Sequence, residues 1–265
     1  MNHKLFPLFS VMLLLFSSCG NDDNNAIEFK TISAEKTVNL SNEELSPKCS
    51  VSLKMAYATE ANGHRAEVLN NYVMERLFEM QDVSMETAAN QFIEQYTNTY
   101  IKNMLPLYNQ DRADTTKRSW YEYHYVITTE TQPGSKGKTV YLATIDYYEG
   151  GAHGINQLIT MNFNTETGQH ITLADIFVPG FEHQLNEILL EALKEKVDAP
   201  NMADLKEKGY LYSMDMFPSE NFILSDNTIT FIYNPYEIAP YDLGAIQLTI
   251  PYRDLKKILK NSFEY

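Results

Sequence analysis

Residues 120–128 read Trp-Tyr-Glu-Tyr-His-Tyr-Val-Ile-Thr, and the spacing of the apolar side chains changes there. Upstream of this stretch, apolar residues recur every three or four positions, which is typical of amphipathic helices. From Trp120 they alternate with polar residues, which predicts a half-buried β-strand. A loop rich in Gly, Pro, Ser and Lys follows at 132–138, and a second apolar run follows at 140–148. We therefore expect these two strands to pair as a hairpin.

Working back toward the N-terminus, residues 27–40 and 48–58 have the pattern of strands. Two helices are expected between them and Trp120. The first has one apolar stripe, made by Ala66, Leu69, Val73, Leu77 and Met80. The second is predicted to begin at an N-cap, Ser84, and to end at Pro106.

Working toward the C-terminus, a hairpin is expected from 158–163 and 170–173, and a helix between Pro179 and Pro200. Residues 222–224 and 229–233 should pair with each other, and 245–250 should form the last strand. Strands and helices occur in blocks, which favours an α+β fold with largely antiparallel sheets and packed helices. We predict an N-terminal α+β domain at 31–155 and a C-terminal domain at 156–265.

The first eighteen residues have the three parts of a secretory signal peptide, with Lys4 followed by an apolar run and two serines. Small residues directly before Cys19 resemble a lipobox, which predicts cleavage and lipidation of Cys19, including a palmitate group. Residues 19–30 are expected to form an acidic tether to the folded part. These features predict an outer-membrane lipoprotein, facing either the periplasm or the cell surface.

The charge and the cysteines limit the classes of function. The formal net charge is −14, which argues against binding to nucleic acid and against direct adhesion to anionic lipid headgroups. The same charge would attract a basic partner. With Cys19 lipidated, Cys49 is the only other thiol, so no internal disulfide is expected. Its position in an alternating pattern predicts a buried strand residue.

Two segments differ from ordinary scaffold. In residues 146–154, Gly150, Gly151 and Gly154 allow an unusual backbone at a strand end. His153, with Glu149 upstream, has the chemistry to relay a proton or to bind a metal. A metal site needs three or four ligands, however, so we expect no metal and favour a structural histidine.

The second segment, residues 233–244, contains two prolines, a glycine and three tyrosines. Tyr236 and Tyr241, with Glu237 between them, form either a rigid recognition loop or a loop that packs back onto the sheet. We predict that this loop and residues 150–154 lie close together on one sheet.

Known catalytic motifs are absent from the sequence: there is no G-x-S-x-G, Walker loop, G-x-G-x-x-G or H-E-x-x-H. We therefore assign no catalytic residue and expect no cofactor.

Three segments occur in a fixed order: Tyr-Glu-Gly-Gly-Ala-His-Gly at 148–154, Thr-Gly-Gln-His-Ile-Thr-Leu-Ala-Asp-Ile-Phe at 167–177, and Asn-Pro-Tyr-Glu-Ile-Ala-Pro at 234–240. This order resembles the paired extracytoplasmic domains shared by the anti-sigma factor RsiV and the peptidoglycan deacetylase PdaC. The resemblance covers roughly residues 31–265. It implies a similar fold and a binding module of the cell envelope.

In RsiV the corresponding region is a receptor for lysozyme, and in PdaC it accompanies a separate deacetylase domain. No segment here resembles the anti-sigma part or the deacetylase, so no catalytic residue is carried over. We expect a non-enzymatic module that binds lysozyme or peptidoglycan. One alternative is an envelope glycan or peptide hydrolase that uses Glu149, His153 and Glu237 in one cleft. Another is a structural accessory lipoprotein of an outer-membrane assembly.

Overall fold

The computed structural model of the chain describes residues 26–265, which form two β-sheets with helices packed on them. The predicted α+β class, with largely antiparallel sheets, is confirmed. The expected signal peptide at 1–18, the lipidated Cys19 and the first part of the tether lie outside the described residues. The first strand begins at Phe29, so the last two tether residues belong to it.

The first sheet contains five strands in the order β1-β2-β3-β4-β5. Every neighbouring pair is antiparallel except β2 and β3. These two are parallel because both long helices are inserted between them, and a parallel connection needs such a crossover. The strands are β1 (Phe29–Asn39), β2 (Lys48–Ala58), β3 (Tyr123–Pro133), β4 (Lys138–Glu149) and β5 (Ile155–Asn164).

One face of this sheet is covered by α1 (His64–Phe78) and α2 (Met85–Asp111). Alternate residues of β2 point into this core, and Cys49 is among them with 0% exposure. The prediction of a buried cysteine is confirmed. Burial raises the pKa of its thiol to about 12, so the thiolate that could act as a nucleophile is scarce at neutral pH.

The second long helix begins as predicted and ends later than predicted. The Ser84 side chain accepts a hydrogen bond from the Thr87 N–H at 3.1 Å, which confirms the N-cap. The prediction that Pro106 ends the helix is wrong, because α2 continues to Asp111. The extra turn buries Tyr108, whose hydroxyl donates to Glu43 at 2.9 Å. These tertiary contacts offset the backbone hydrogen bond that proline cannot make.

The second sheet is antiparallel, in the order β6-β7-β8. The structure contains the expected β6–β7 hairpin, the last strand, and the helix expected between Pro179 and Pro200. That helix, α4, packs its buried face against β8. The strands are β6 (Phe222–Leu224), β7 (Thr228–Tyr233) and β8 (Ile246–Pro251). The helices are α3 (Leu173–Ile176), α4 (Glu182–Lys196), α5 (Met202–Glu207) and α6 (Tyr252–Leu255).

Strand β5 differs from its predicted pairing. It pairs along its length with β4, and only one bridge joins Phe163 to His170. Leu173, the last residue of the predicted returning strand, begins α3 instead. Phe163 belongs to the first hydrophobic core and Ile171 belongs to the second, so the chain passes from one core to the other between these two residues. The predicted domain boundary at 155/156 therefore falls one residue into β5, the last strand of the first sheet.

The outer edge of β5 is joined to the second sheet by asparagine side chains. The Asn234 side chain accepts a hydrogen bond from Leu158 N–H at 2.8 Å and donates to Leu158 C=O at 3.1 Å. Asn221 accepts from Thr160 N–H at 2.7 Å, and Asn162 accepts from Leu224 N–H at 3.0 Å. We call Asn162, Asn221 and Asn234 the asparagine seam. It satisfies a strand edge that would otherwise be unpaired, and it fixes the second sheet beside the first.

A second junction lies at the far end of β4. The β3–β4 hairpin tip reaches the second sheet, where Ser135 N–H donates to Leu224 C=O at 3.1 Å.

Within residues 26–265, no helix is both long enough and apolar enough to span a membrane.

Candidate functional site

The β4–β5 turn contains two glycines at which any other residue would be strained. Gly150 and Gly151 have φ of +82° and +105°, conformations that side chains with a Cβ rarely adopt. A Cβ on Gly150 would lie 2.7 Å from the carbonyl oxygen of Trp120, which is closer than real Cβ contacts. The Gly151 carbonyl accepts a hydrogen bond from the Tyr148 hydroxyl at 2.9 Å. The turn is therefore held in one shape, and it exposes His153.

The β7–β8 loop, residues 234–244, is anchored by Asn234 of the seam. Asn234 C=O accepts from Glu237 N–H at 3.1 Å, and the Glu237 carboxylate accepts from Asn234 N–H at 2.9 Å. Burial raises the pKa of Glu237, and hydrogen bonding of its carboxylate to Asn234 partly opposes that rise. Tyr236, at the top of the turn, has a φ of +74° and is 56% exposed. A non-glycine residue in this conformation is uncommon, and such strain often marks a functional position.

The two loops meet at His153. Its ring stacks on Tyr241 with centroids 3.9 Å apart and an angle of 15°. Its Nε2 lies 3.3 Å from the Tyr236 hydroxyl, and its Nδ1 lies 3.1 Å from the Gly154 carbonyl oxygen. Because a carbonyl can only accept, Nδ1 carries the hydrogen in the neutral ring, and Nε2 accepts from Tyr236. The geometry thus assigns one tautomer.

The predicted proximity of the two loops is confirmed by these contacts, but the predicted reason for it is wrong. Strand β4 belongs to the first sheet, whereas β7 and β8 belong to the second. The loops approach each other because the asparagine seam joins the sheets. The glycines do not receive the tyrosines either, since a Cβ on Gly151 would meet nothing within 4 Å.

Glu149 faces a different part of the molecule. Its carboxylate accepts a hydrogen bond from the Tyr96 hydroxyl of α2 at 2.6 Å. Burial, and then this hydrogen bond, raise the pKa of Tyr96 far above its ordinary value. Glu237 is bonded to Asn234, as described above. The three side chains that the hydrolase hypothesis requires therefore make separate contacts, and only His153 lies at the meeting of the loops.

Four further apolar residues were missed from the sequence: three lie on the adjoining loop after α5, and Leu243 lies on the 234–244 loop itself. Leu211 N–H donates to Ile238 C=O at 2.9 Å, which holds the loop after α5 beside residues 234–244. A Cβ on Gly209 would contact Leu243 at 3.4 Å. The four missed residues, with their exposed fractions, are Tyr212 78%, Met214 42%, Phe217 37% and Leu243 38%.

We call His153, Tyr236 and Tyr241 together with these four residues the aromatic surface. Tyr236 and the four missed residues are five of the nine exposed large apolar side chains among the described residues. Such a concentration on two neighbouring loops is typical of an interaction site. Asp215 and Asp242 are exposed within the same loops and give them negative charge. The sequence signal for Tyr212, Met214 and Phe217 was the run of Tyr, Met and Phe at 210–217, which has neither a helical nor a strand period.

Metal binding finds no support in the geometry. Within residues 26–265, no group of three or more His, Cys, Asp and Glu side chains is arranged to hold an ion. One close histidine–carboxylate pair lies in the first sheet: His124 Nε2 and the Asp146 carboxylate are 3.0 Å apart, which supplies only two ligands.

Residues 174–253 match the family described as "Protein of unknown function (DUF3298)". The C-terminal part of the chain is thus similar to this family. The chain is also 26% identical over 182 residues to the peptidoglycan-N-acetylmuramic acid deacetylase PdaC of Bacillus subtilis (strain 168). That alignment covers 68% of this chain and 37% of PdaC. The predicted relationship to PdaC is confirmed, and it indicates an envelope-associated domain.

Two solved structures share the fold. A DUF3298 family member from Bacteroides fragilis NCTC 9343 is 28% identical, with a TM-score of 0.81, over 89% of this chain and 94% of that one. A DUF3298 family protein from Pseudomonas aeruginosa PAO1 is 18% identical, with a TM-score of 0.61, over 89% of this chain and 95% of that one. The second likeness bears on the fold alone.

Proposed function

We propose that the chain is a non-enzymatic binding module of the cell envelope, which captures a basic protein partner on the aromatic surface. Lysozyme is the partner that the resemblance to RsiV implies, and it is the probe for the test below. Lipidation of Cys19 would hold the module at the outer membrane.

The observation that carries the proposal is the aromatic surface itself. Tyr236 and Tyr212 are 56% and 78% exposed, on loops whose backbones are fixed by hydrogen bonds. Rigid tyrosines supply a large contact area while losing little side-chain entropy on binding. Burying apolar area contributes roughly 25 cal/mol per Å², so a few such rings can anchor a complex.

The charge favours a basic partner. The net charge of −14 produces a long-range attraction for cations, and Asp215 and Asp242 bring negative charge to the surface itself. Attraction of this kind mainly raises the association rate, and salt weakens it because ions screen exposed charges over about 8–10 Å.

A second candidate ligand is the glycan of peptidoglycan. The observation that favours it is the relationship to PdaC, whose name describes action on peptidoglycan-N-acetylmuramic acid. Exposed aromatic rings also suit the apolar faces of sugars. This candidate predicts binding that depends little on salt, because a neutral sugar ring has no charge to screen.

The two remaining hypotheses have weaker support. A hydrolase would need Glu149, His153 and Glu237 in one cleft, and their contacts separate them. A structural accessory role would be favoured if the protein co-purified from membranes with one outer-membrane complex.

The test is calorimetric titration of the purified protein with lysozyme and with soluble peptidoglycan fragments. Each titration is done at about 10 mM and about 150 mM salt, which changes the screening length about fourfold. We expect lysozyme to bind at both concentrations, and more tightly at low salt. No lysozyme binding at low salt would contradict the lysozyme proposal, and salt-independent binding of the fragments would favour the glycan.

A further inference from the structure

A second candidate site lies at the other end of β4, where three segments of the chain enclose a cavity of about 360 Å³. The segments are the β3–β4 hairpin tip, the stretch from β5 to α3, and the C-terminal tail. We call this space the interdomain cavity. Its walls include Lys136, Lys138, Glu166, Ile171, Asp175 and Phe263. A volume of this size lies within the range of about 300–1,000 Å³ that small-molecule sites occupy.

The cationic wall is centred on Lys138. Its ammonium donates to the Lys136 carbonyl at 3.0 Å and to the Glu264 carbonyl, and it lies 4.9 Å from the centre of the Phe263 ring. Burial lowers the pKa of this lysine. None of the ion pairs within residues 26–265 includes it, whereas its neighbour Lys136 pairs with Glu264 at 3.4 Å. This partly buried ammonium is in no ion pair with a described residue, and the nearby Glu264 charge opposes only part of the effect of its burial, so it is suited to an anionic group on a ligand.

Other lining residues supply negative charge and apolar contact. The Glu166 carboxylate makes no hydrogen bond or ion pair with any residue that the structure describes, although its backbone N–H is bonded to Asn164. Asp175 differs, because its carboxylate already caps α3 through Thr172 at 2.8 Å. Ile171 and Phe263 provide the apolar part of the lining.

From these walls we infer that the interdomain cavity binds a small zwitterion of the amino-acid class, a free amino acid or a dipeptide with an apolar side chain. The ligand carboxylate would contact Lys138, its ammonium would contact Glu166, and its side chain would lie against Phe263 and Ile171. This site is separate from the aromatic surface and is independent of the function proposed above.

The test compares three related peptides by calorimetry with the purified full-length chain. They are the dipeptide Ala-Phe, its C-terminal amide and its N-acetylated form, each titrated to about 10 mM, a range that detects even millimolar affinity. We expect Ala-Phe to bind and each blocked form to bind at least about tenfold more weakly, since each blocked form loses one charged hydrogen-bonding group. Absence of binding by all three, or equal binding of Ala-Phe and either blocked form, would overturn the inference.

Substitutions then locate the site. Lys138→Met keeps the apolar stem over Phe263 but removes the charge, and we expect it to weaken Ala-Phe binding about tenfold or more. Lys30→Met, on the exposed face of β1, is the matched control and should bind as the wild type does. If Lys138→Met fails to fold, Glu166→Gln takes its place, because Glu166 has no partner to lose. Full affinity in a folded variant would contradict the assignment.

Discussion

The asparagine seam and the aromatic surface are neighbours that meet at the 234–244 loop, and they differ in how their side chains are used. In the seam, Asn234 is 8% exposed and both ends of its amide are bonded to Leu158. Two residues further on, Tyr236 is 56% exposed, and the one described polar contact of its hydroxyl, to His153, is 3.3 Å long. The first arrangement satisfies buried backbone groups, and the second leaves apolar area open to solvent.

This difference implies a division of roles within one short loop. Buried groups that are fully hydrogen-bonded stabilise a fold strongly when removal of one partner leaves another unsatisfied. Exposed rings contribute little to folding, because they lose little contact with water. Substitutions in the seam should therefore lower stability, and substitutions on the aromatic surface should lower binding.

The largest expected loss of stability comes from the seam. Asn234→Ala leaves the Leu158 N–H without its partner, and we expect the free energy of unfolding to fall by about 3 kcal/mol. Urea denaturation followed by circular dichroism measures this change. Asn156→Ala is the control on the same strand, since its exposed amide has only a 3.4 Å contact with Asp146. Equal losses in the two variants would show that the seam does not carry the sheet junction.

The glycine turn should show a smaller and graded effect. Gly150→Ala adds both backbone strain and a contact with Trp120 C=O, and it should lower the unfolding free energy by about 2–3 kcal/mol. Gly151→Ala adds strain alone, for which we expect about 1–2 kcal/mol. Denaturation of the two variants side by side gives the comparison. A greater loss at Gly151 would contradict the described backbone.

His170, which lies between the two cores, should make a smaller contribution to the free energy of unfolding, and this contribution should depend on pH. Its ring stacks on Tyr72 at 4.1 Å, and burial lowers its pKa to about 4 from 6.5. Because the folded pKa is below the unfolded one, the unfolded chain binds the proton more readily. The stability contribution is therefore complete above pH 6.5 and is lost as pH falls toward 4. We expect a loss of about 1–2 kcal/mol after allowing for the partial exposure of the ring.

The measurement compares the wild type with His170→Gln between pH 4 and pH 7.5, a window chosen around the two pKa values. The variant should lose less stability than the wild type as the pH falls. Identical slopes for the two proteins would exclude His170 as the source.

The sequence predicted those features that depend on local pattern. The change of period at Trp120 predicted β3, although Trp120 and Tyr121 end a 3-10 helix and the strand begins at Tyr123. Ser84 correctly predicted the start of α2. Pro106 and the pairing of β5 were mispredicted, because tertiary contacts of Tyr108 and the long β4–β5 register outweighed the local signals.

The candidate site was also predictable only in part, because local patterns identify loops but not the distant residues that they contact. Glycine and proline at unusual positions identified the loops that carry His153 and Tyr236, and these residues do meet. The asparagine seam was invisible because an amide gives no sign of which distant strand edge it will bond. Tyr212 and Met214 were missed because an apolar run without a helical or strand period does not predict which of its side chains are exposed.

The aromatic surface is tested most directly by Tyr236→Ala, with stability and binding measured on the same preparation. Tyr265→Ala is the control, since that tyrosine is 46% exposed and its ring stacks on Tyr252 at the tail beside the opposite end of β4. We predict that Tyr236→Ala changes the unfolding free energy by less than about 0.5 kcal/mol and weakens lysozyme binding at least about tenfold. Unchanged affinity, or a loss of stability as large as that of Asn234→Ala, would contradict the separation of roles.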